Sequence, residues 1–144
     1  MPARAVLSPK ARLASDTQTA QAAAELIEEI GRISHSRGFS SGLNPAQWSA
    51  LRFLARANPS ARTATAFARA HHVTIGTATQ TIAALVRKKC LKRVAIPEDR
   101  RAVRLDVTPR GFALLQDSDP LGAMVEAILA LPENLRRGLI ESVA

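Results

Sequence analysis

Between positions 74 and 81 the chain places Thr74, Gly76, Thr77, Thr79, Gln80 and Thr81, while Ile75, Ala78, Ile82, Leu85 and Val86 recur at helical spacing through the same stretch. A helix that enters the major groove of DNA needs short, polar side chains on its outer face so that its backbone can come close. The chemistry available there is base reading. The Gln80 amide can pair with the N6 and N7 edge of adenine, threonine methyls can pack on a thymine methyl, and hydroxyls can bond a base or a phosphate. The plainer alternative is a neutral solvent face, but threonine is a mediocre helix former, which argues against filling such a face with it. Arg87, Lys88, Lys89, Lys92 and Arg93 follow, where they suit phosphates and a helix C-terminal dipole alike. Further on, Asp99 can hold one neighbouring arginine while Arg100 or Arg101 enters a minor groove, whose negative potential favours guanidinium.

Other chemistry is poorly supplied. Cys90 follows two lysines that would activate an exposed thiol, yet a free cysteine is usually a small buried apolar side chain, and that is the expectation here. One cysteine forms neither an internal disulfide nor the usual multi-thiolate zinc site. His71 and His72 are adjacent, not paired on one helix face, so they do not read as metal ligands. No phosphate-binding loop, nucleophile elbow or paired acid/base carboxylates are present, so neither catalysis nor a cofactor is expected.

The 144 residues suit one structural domain, and 47% hydrophobic residues are enough for a core, which excludes global disorder. No apolar run reaches the roughly 18 residues of a membrane span, and residues 1–12 have no secretory apolar segment, so a cytoplasmic location is expected. The net charge of +8 is unevenly spread. Residues 71–110 hold nine basic and three acidic side chains, whereas residues 111–144 hold two and five. A basic centre beside an acidic end fits a central surface that meets a polyanion.

These side chains need elements to carry them. Residues 1–14, with Pro2 and Pro9, read as a mobile arm, and Ser15 to Gln18 as a capping box for a helix bearing Ala23, Leu26, Ile27, Ile30 and Ile33. Asn44, Pro45 and Gln47 start a second helix with Trp48, Leu51, Leu54 and Ala55 inward. Thr63 caps a helix carrying Phe67, Ala68 and His71, and Thr74 caps the threonine-rich one; together they make a helix-turn-helix pattern. Leu91–Ile96 and Ala102–Val107 read as a hairpin with a basic Pro-Glu-Asp-Arg-Arg tip. Thr108 and Pro109 start a helix with Phe112, Leu114 and Leu115, Pro120 interrupts it before Leu121, Met124, Val125, Ile128 and Leu129, and a last helix near Pro132 carries Leu135, Leu139, Ile140 and Val143. The two ends hold more apolar residues than so small a core can cover, so they are expected to pack against a second copy in a two-fold dimer.

The run Thr63-x-x-x-Phe67-Ala68, Val73-Thr74-x-x-Thr77-x-Thr79-Gln80-x-Ile82, Leu91-x-Arg93 and Asp99-Arg100-Arg101-x-x-x-Leu105-x-Val107-Thr108-x-x-Gly111 resembles the multiple antibiotic resistance regulator (MarR) family of winged-helix repressors, across about residues 44 to 115. The fold expected is mainly α (α+β), a winged helix-turn-helix with a two- or three-stranded wing. Its parts would be an arm (1–14), an N-terminal dimerisation helix (15–43), the DNA-binding region (44–108) and C-terminal dimerisation helices (109–144). The resemblance implies a homodimeric transcriptional regulator, a pseudo-palindromic double-stranded DNA operator, and release by a small aromatic or carboxylate effector. DNA contacts would come from Thr63, Thr74, Gly76, Thr77, Thr79, Gln80, Thr81, Arg87, Lys88, Arg93, Asp99, Arg100 and Arg101. His35, Trp48, Arg52 and Phe112 fall in the region that lines the family's effector cleft, although Trp48 and Phe112 equally suit the core. Two family glycines are replaced, by His72 and Cys90, and positive-φ strain is expected at both. A non-specific architectural DNA binder is the main alternative, and a protein-binding adaptor a third.

Overall fold

The computed structural model describes residues 9–96 and 99–143, with their side chains over 16–96 and 103–142. In chain order the elements are α1 (Pro9–Arg37), α2 (Pro45–Arg56), a 3-10 turn (Pro59–Ala61), α3 (Ala64–Ala70), α4 (Ile75–Arg87), β1 (Leu91–Ile96), β2 (Asp99–Val107), α5 (Pro109–Asp117), α6 (Leu121–Leu129) and α7 (Glu133–Val143). No helix among the described residues is long and apolar enough to cross a membrane. The chain divides between Ser36 and Arg37 into two compact units.

The first unit is α1, and it starts earlier than its capping box suggests. Residues 9–14, expected in a mobile arm, are helical. Pro9 suits a first helical turn and Lys10 to Ala14 are all strong helix formers, so nothing stops the helix before Ser15. The rest of that arm, residues 1–8, lies outside the described residues. Leu26, Ile27, Ile30 and Ile33 form an exposed apolar stripe on α1.

In the second unit the core gathers between Leu43 and Leu105. Trp48, Leu51 and Leu54 of α2, Phe67 of α3, Ala78, Ile82 and Leu85 of α4, then Cys90, Leu91 and Leu105 are buried together. Local chemistry starts α2, α3, α4 and α5. Asn44 and Gln47 form a reciprocal capping box on α2, and Thr63, Thr74 and Thr108 each accept a backbone N–H of the turn they cap. Both helices of the helix-turn-helix end in the same way. Val73 N donates to Ala68 O (3.1 Å) beside a left-handed His72 (φ +52°), and Cys90 N donates to Leu85 O (2.9 Å) beside a left-handed Lys89 (φ +59°). These are Schellman caps, in which the residue just past the cap takes positive φ. Strain was expected at His72 and at Cys90. It falls at His72 and at Lys89, because Lys89 is the residue one past the Lys88 cap.

The sheet is two-stranded and antiparallel, with Leu91 opposite Val107 and Ala95 opposite Val103. A register shift after Ala95 lets Asp99 pair with Ile96, so β2 starts at Asp99, three residues before the expected Ala102. Where a third strand was conceivable, one backbone bond joins Leu105 N to Arg62 O (2.8 Å).

The start of α5 is fastened to the end of α4. The Thr108 hydroxyl donates to Lys89 O (2.7 Å) and accepts from Gly111 N (3.1 Å), and Thr108 N donates to Cys90 O (3.1 Å). A Cβ on Gly111 would overlap the Cys90 carbonyl oxygen and lie 2.7 Å from Val107 Cγ1. Glycine is therefore required by close approach. Pro120 separates α5 from α6 as expected; Phe112, which equally suited the core, is 51% exposed, and Leu135, Leu139 and Ile140 of α7 are exposed on the single chain. They lie beyond the 43–105 core.

Two substitutions test these backbone constraints in urea denaturation. Gly111→Ala is expected to lower stability by about 1–3 kcal/mol through overpacking. His72→Gly is expected to raise it, by up to about 1 kcal/mol, by relieving a left-handed non-glycine residue. A neutral Gly111→Ala would mean that the α5 junction is loose.

Candidate nucleic-acid interface

The second side of α4 faces solvent. Ala78, Ile82 and Leu85 are buried, while Thr74, Gly76, Thr77, Thr79 and Gln80 are exposed. The hydroxyls differ in what they are free to do. Thr74 Oγ1 accepts from Thr77 N (3.1 Å) and lies 2.9 Å from Thr77 Oγ1, and the Thr81 hydroxyl donates to Thr77 O (3.0 Å). Those three hydroxyls satisfy the helix itself. Thr79 and Gln80 make no side-chain hydrogen bond among the described residues. Gly76 has open space where a Cβ would stand, its nearest neighbour being Thr74 Oγ1 at 3.8 Å. Packing does not require that glycine, although glycine inside a helix costs about 0.8–1 kcal/mol relative to alanine.

Ile75 was expected on the buried face and is instead 53% exposed. As the first residue of α4 it precedes the buried stripe, and with the exposed Val73 it puts two apolar side chains beside the threonines. Sequence periodicity alone had no means of separating this first position from the stripe.

The basic residues fall into two groups. Arg87, Lys88, Lys89, Lys92 and Arg93 are all exposed, and among them only Lys88 has a side-chain hydrogen bond to another described residue. Lys88 is engaged: its ammonium donates to Gly42 O and to Gln47 Oε1 (2.8 Å). Thr63 is half-buried and caps α3 through Ala66 N (3.1 Å). Asp99, Arg100 and Arg101 lie on the first residues of β2, and their side chains fall outside the described residues.

An ion network missed at the sequence level supports the hairpin. Arg104 donates to both Asp106 oxygens, at 3.0 Å each, and Arg62 donates to Asp106 Oδ1 (3.2 Å) and to Ala57 O (3.0 Å). The Arg104 hydrogen bond pulls the Asp106 carboxyl below its ordinary pKa; burial pushes part of the way back, and Arg62 adds to the lowering. The same bond raises the Arg104 pKa. Arg104 and Asp106 stand two apart on one strand face, a spacing that could have signalled the pair. Arg62, on a distant segment, gave no such signal.

Of the four residues expected at an effector cleft, three lie in the second unit. Trp48 is fully buried in the core, Phe112 is exposed on α5, and Arg52 is paired with Asp119 at 2.6 Å. His35 belongs to α1, in the other unit. A shallow groove of about 520 Å³ runs along α2 and the end of α3, lined by Ser49, Arg52, Phe53, Arg56, Ala57 and His71. Phe53 and His71 meet edge to face there, with ring centroids 5.6 Å apart. Cys90 is fully buried, as expected of a packing residue. No cluster of three potential metal ligands occurs among the described residues.

The family model of the MarR family matches residues 41–102. A sequence search of curated proteins finds no match. Solved structures share the fold. A MarR transcriptional regulator from Methanosarcina mazei Go1 is 21% identical, with a TM-score of 0.68 over 88% of this chain and 91% of that one. The transcriptional regulator BldR from Sulfolobus solfataricus is 23% identical, with a TM-score of 0.66 over 91% and 93%. A mutant of S. aureus MepR bound to an oligodeoxyribonucleotide is 18% identical, with a TM-score of 0.61 over 87% and 92%.

The Asp106 network carries a pH prediction. A carboxyl whose folded pKa lies below its unfolded value, about 3.9, stabilises the fold above that value and loses its contribution as pH falls through the folded pKa. Stability measured by urea midpoints should therefore drop on acidification below about pH 4, and Asp106→Asn should flatten that part of the profile. An unchanged profile would remove Asp106 as the cause.

Proposed function

We propose that this chain, whose residues 41–102 match the MarR family model, is a sequence-specific DNA-binding transcriptional regulator. It acts in the cytoplasm as a homodimer and represses from a pseudo-palindromic operator. The observation that carries this reading is the outer face of α4, where exposed Thr79 and Gln80 stand beside a Gly76 that packing does not need. A missing side chain at that point lets a DNA strand approach the backbone, and Gln80 then reads a base edge. Arg87, Lys89, Lys92 and Arg93 supply phosphate contacts, and Arg100 or Arg101 at the wing tip enters the minor groove.

The dimer reading draws on apolar side chains exposed on the single chain, Leu26, Ile27, Ile30 and Ile33 of α1 with Leu129, Leu135, Leu139 and Ile140 of α6 and α7. Apolar surface of that extent marks an interaction site on a soluble protein. Two-fold symmetry then sets the operator half-sites about one helical turn, roughly 10 bp, apart. Release by a small aromatic carboxylate is part of the same proposal, with Arg56, His71 and the Phe53 ring of the groove as its polar and apolar walls.

Selection of bound duplexes from a random pool tests the reading and yields an operator for variants. Gly76→Ala should raise the melting temperature while weakening operator binding, a combination that a purely structural glycine would not give. Gln80→Ala should lose about 1–3 kcal/mol of discrimination at one half-site base, and Arg101→Ala should weaken binding and reduce the salt slope by about one. Failure to keep a preference of roughly a thousandfold over random duplex would favour the architectural reading.

A further inference from the structure

We propose that Lys88 is a positioning residue that locks the C-terminal end of α4 to the turn in front of α2, rather than one of the phosphate contacts that its place in a basic run suggests. The inference deepens the DNA-binding reading and rests on it for its binding arm.

The geometry is specific. Lys88 is the C-cap of α4, and its ammonium bonds Gly42 O and Gln47 Oε1 (2.8 Å), residues more than 40 positions earlier. Both acceptors are fixed. Gly42 (φ +75°) and Ser41 (φ +51°) form the centre of a tight turn closed by Ser40 and Leu43 through paired backbone bonds of 3.2 and 2.9 Å. Gln47 is buried, its Oε1 also accepts from Asn44 N (3.2 Å), and its own N–H donates to Asn44 Oδ1 (2.9 Å). A lysine has three N–H donors, and two are engaged by this pair of carbonyl oxygens. Bonds from an ionised donor are stronger than neutral ones. The chain path also reverses here, since the next residue, Lys89, is left-handed. Arg87 and Lys89, on either side, make no side-chain hydrogen bond among the described residues. Of three consecutive cations at the end of α4, the middle one is thus a strut between α4 and the α2 cap, and the flanking two are left for a polyanion.

Lys88→Met keeps the aliphatic stem and removes the donors. Salt slopes separate a strut from a phosphate contact, because only loss of a phosphate contact lowers the slope, by about 0.9. On a selected operator, at a temperature where every variant is folded, Lys88→Met should bind roughly three- to tenfold more weakly with an unchanged slope, as α4 samples unaligned positions. Arg87→Ala should lower the slope instead. A cycle with Gln47→Ala checks the route: the capping loss is common to both backgrounds and cancels, so a non-additive melting temperature for the double variant reports the Lys88–Gln47 bond. A reduced slope for Lys88→Met overturns the proposal, and so does unchanged affinity, which would leave Lys88 a stabilising residue alone. If the wild-type protein binds no duplex, the regulator reading fails. The melting-temperature cycle still decides the strut, and additivity there overturns it.

Discussion

The winged helix depends on how closely α5 can approach the turn that ends α4. At that point Cys90 O, Lys89 O, Thr108 and Gly111 come within one layer of hydrogen bonds, and the absence of a side chain on Gly111 lets the layer close. Because β1 leaves from Leu91 and β2 arrives at Val107, this contact sets where the hairpin emerges relative to α4. The Thr108-x-x-Gly111 spacing has a physical reason at both ends. Threonine caps one helix while its hydroxyl holds the end of another, and glycine is the residue that fits beneath a carbonyl oxygen.

Around this joint, polar side chains connect segments that the hydrophobic core alone would leave free to slide. Asp106 gathers Arg104 from its own strand and Arg62 from the approach to α3, and Arg62 reaches on to the end of α2. Lys88 joins the far end of α4 to the α2 cap. Apolar burial is non-directional, so it brings α2, α3 and α4 together without fixing their relative alignment. Directional bonds from charged groups supply that alignment.

How much of this was legible in the sequence follows from how local each feature is. The Asn44–Gln47 capping box, the threonine caps and the Pro120 break depend on residues a few positions apart, and they were read directly. The helix-turn-helix and hairpin were legible through periodicity and through the Asp99-Arg100-Arg101 and Thr108-x-x-Gly111 runs. Features set by distant partners were not. Lys88 in a basic run gives no hint of a carbonyl in the Ser40–Leu43 turn, and Arg62 gives none of Asp106. Threonine carries a built-in ambiguity, since the same hydroxyl that can reach a phosphate can cap a helix, as at Thr63 and Thr74, or bond back to a carbonyl one turn earlier, as at Thr81. Positive φ moved from Cys90 to Lys89 because the cap geometry counts from the last helical residue, whose position the sequence leaves uncertain by one.

In the proposed complex the Thr79–Gln80 face of α4 lies in a major groove. Protection of guanine N7 from dimethyl sulfate on a selected duplex tests it most directly, since N7 is exposed in that groove. Two clusters of protected guanines are expected about one helical turn apart, roughly 10 bp, and they should disappear on an unrelated sequence. Tight binding to the selected duplex without N7 protection, or equal protection of any sequence, would contradict it.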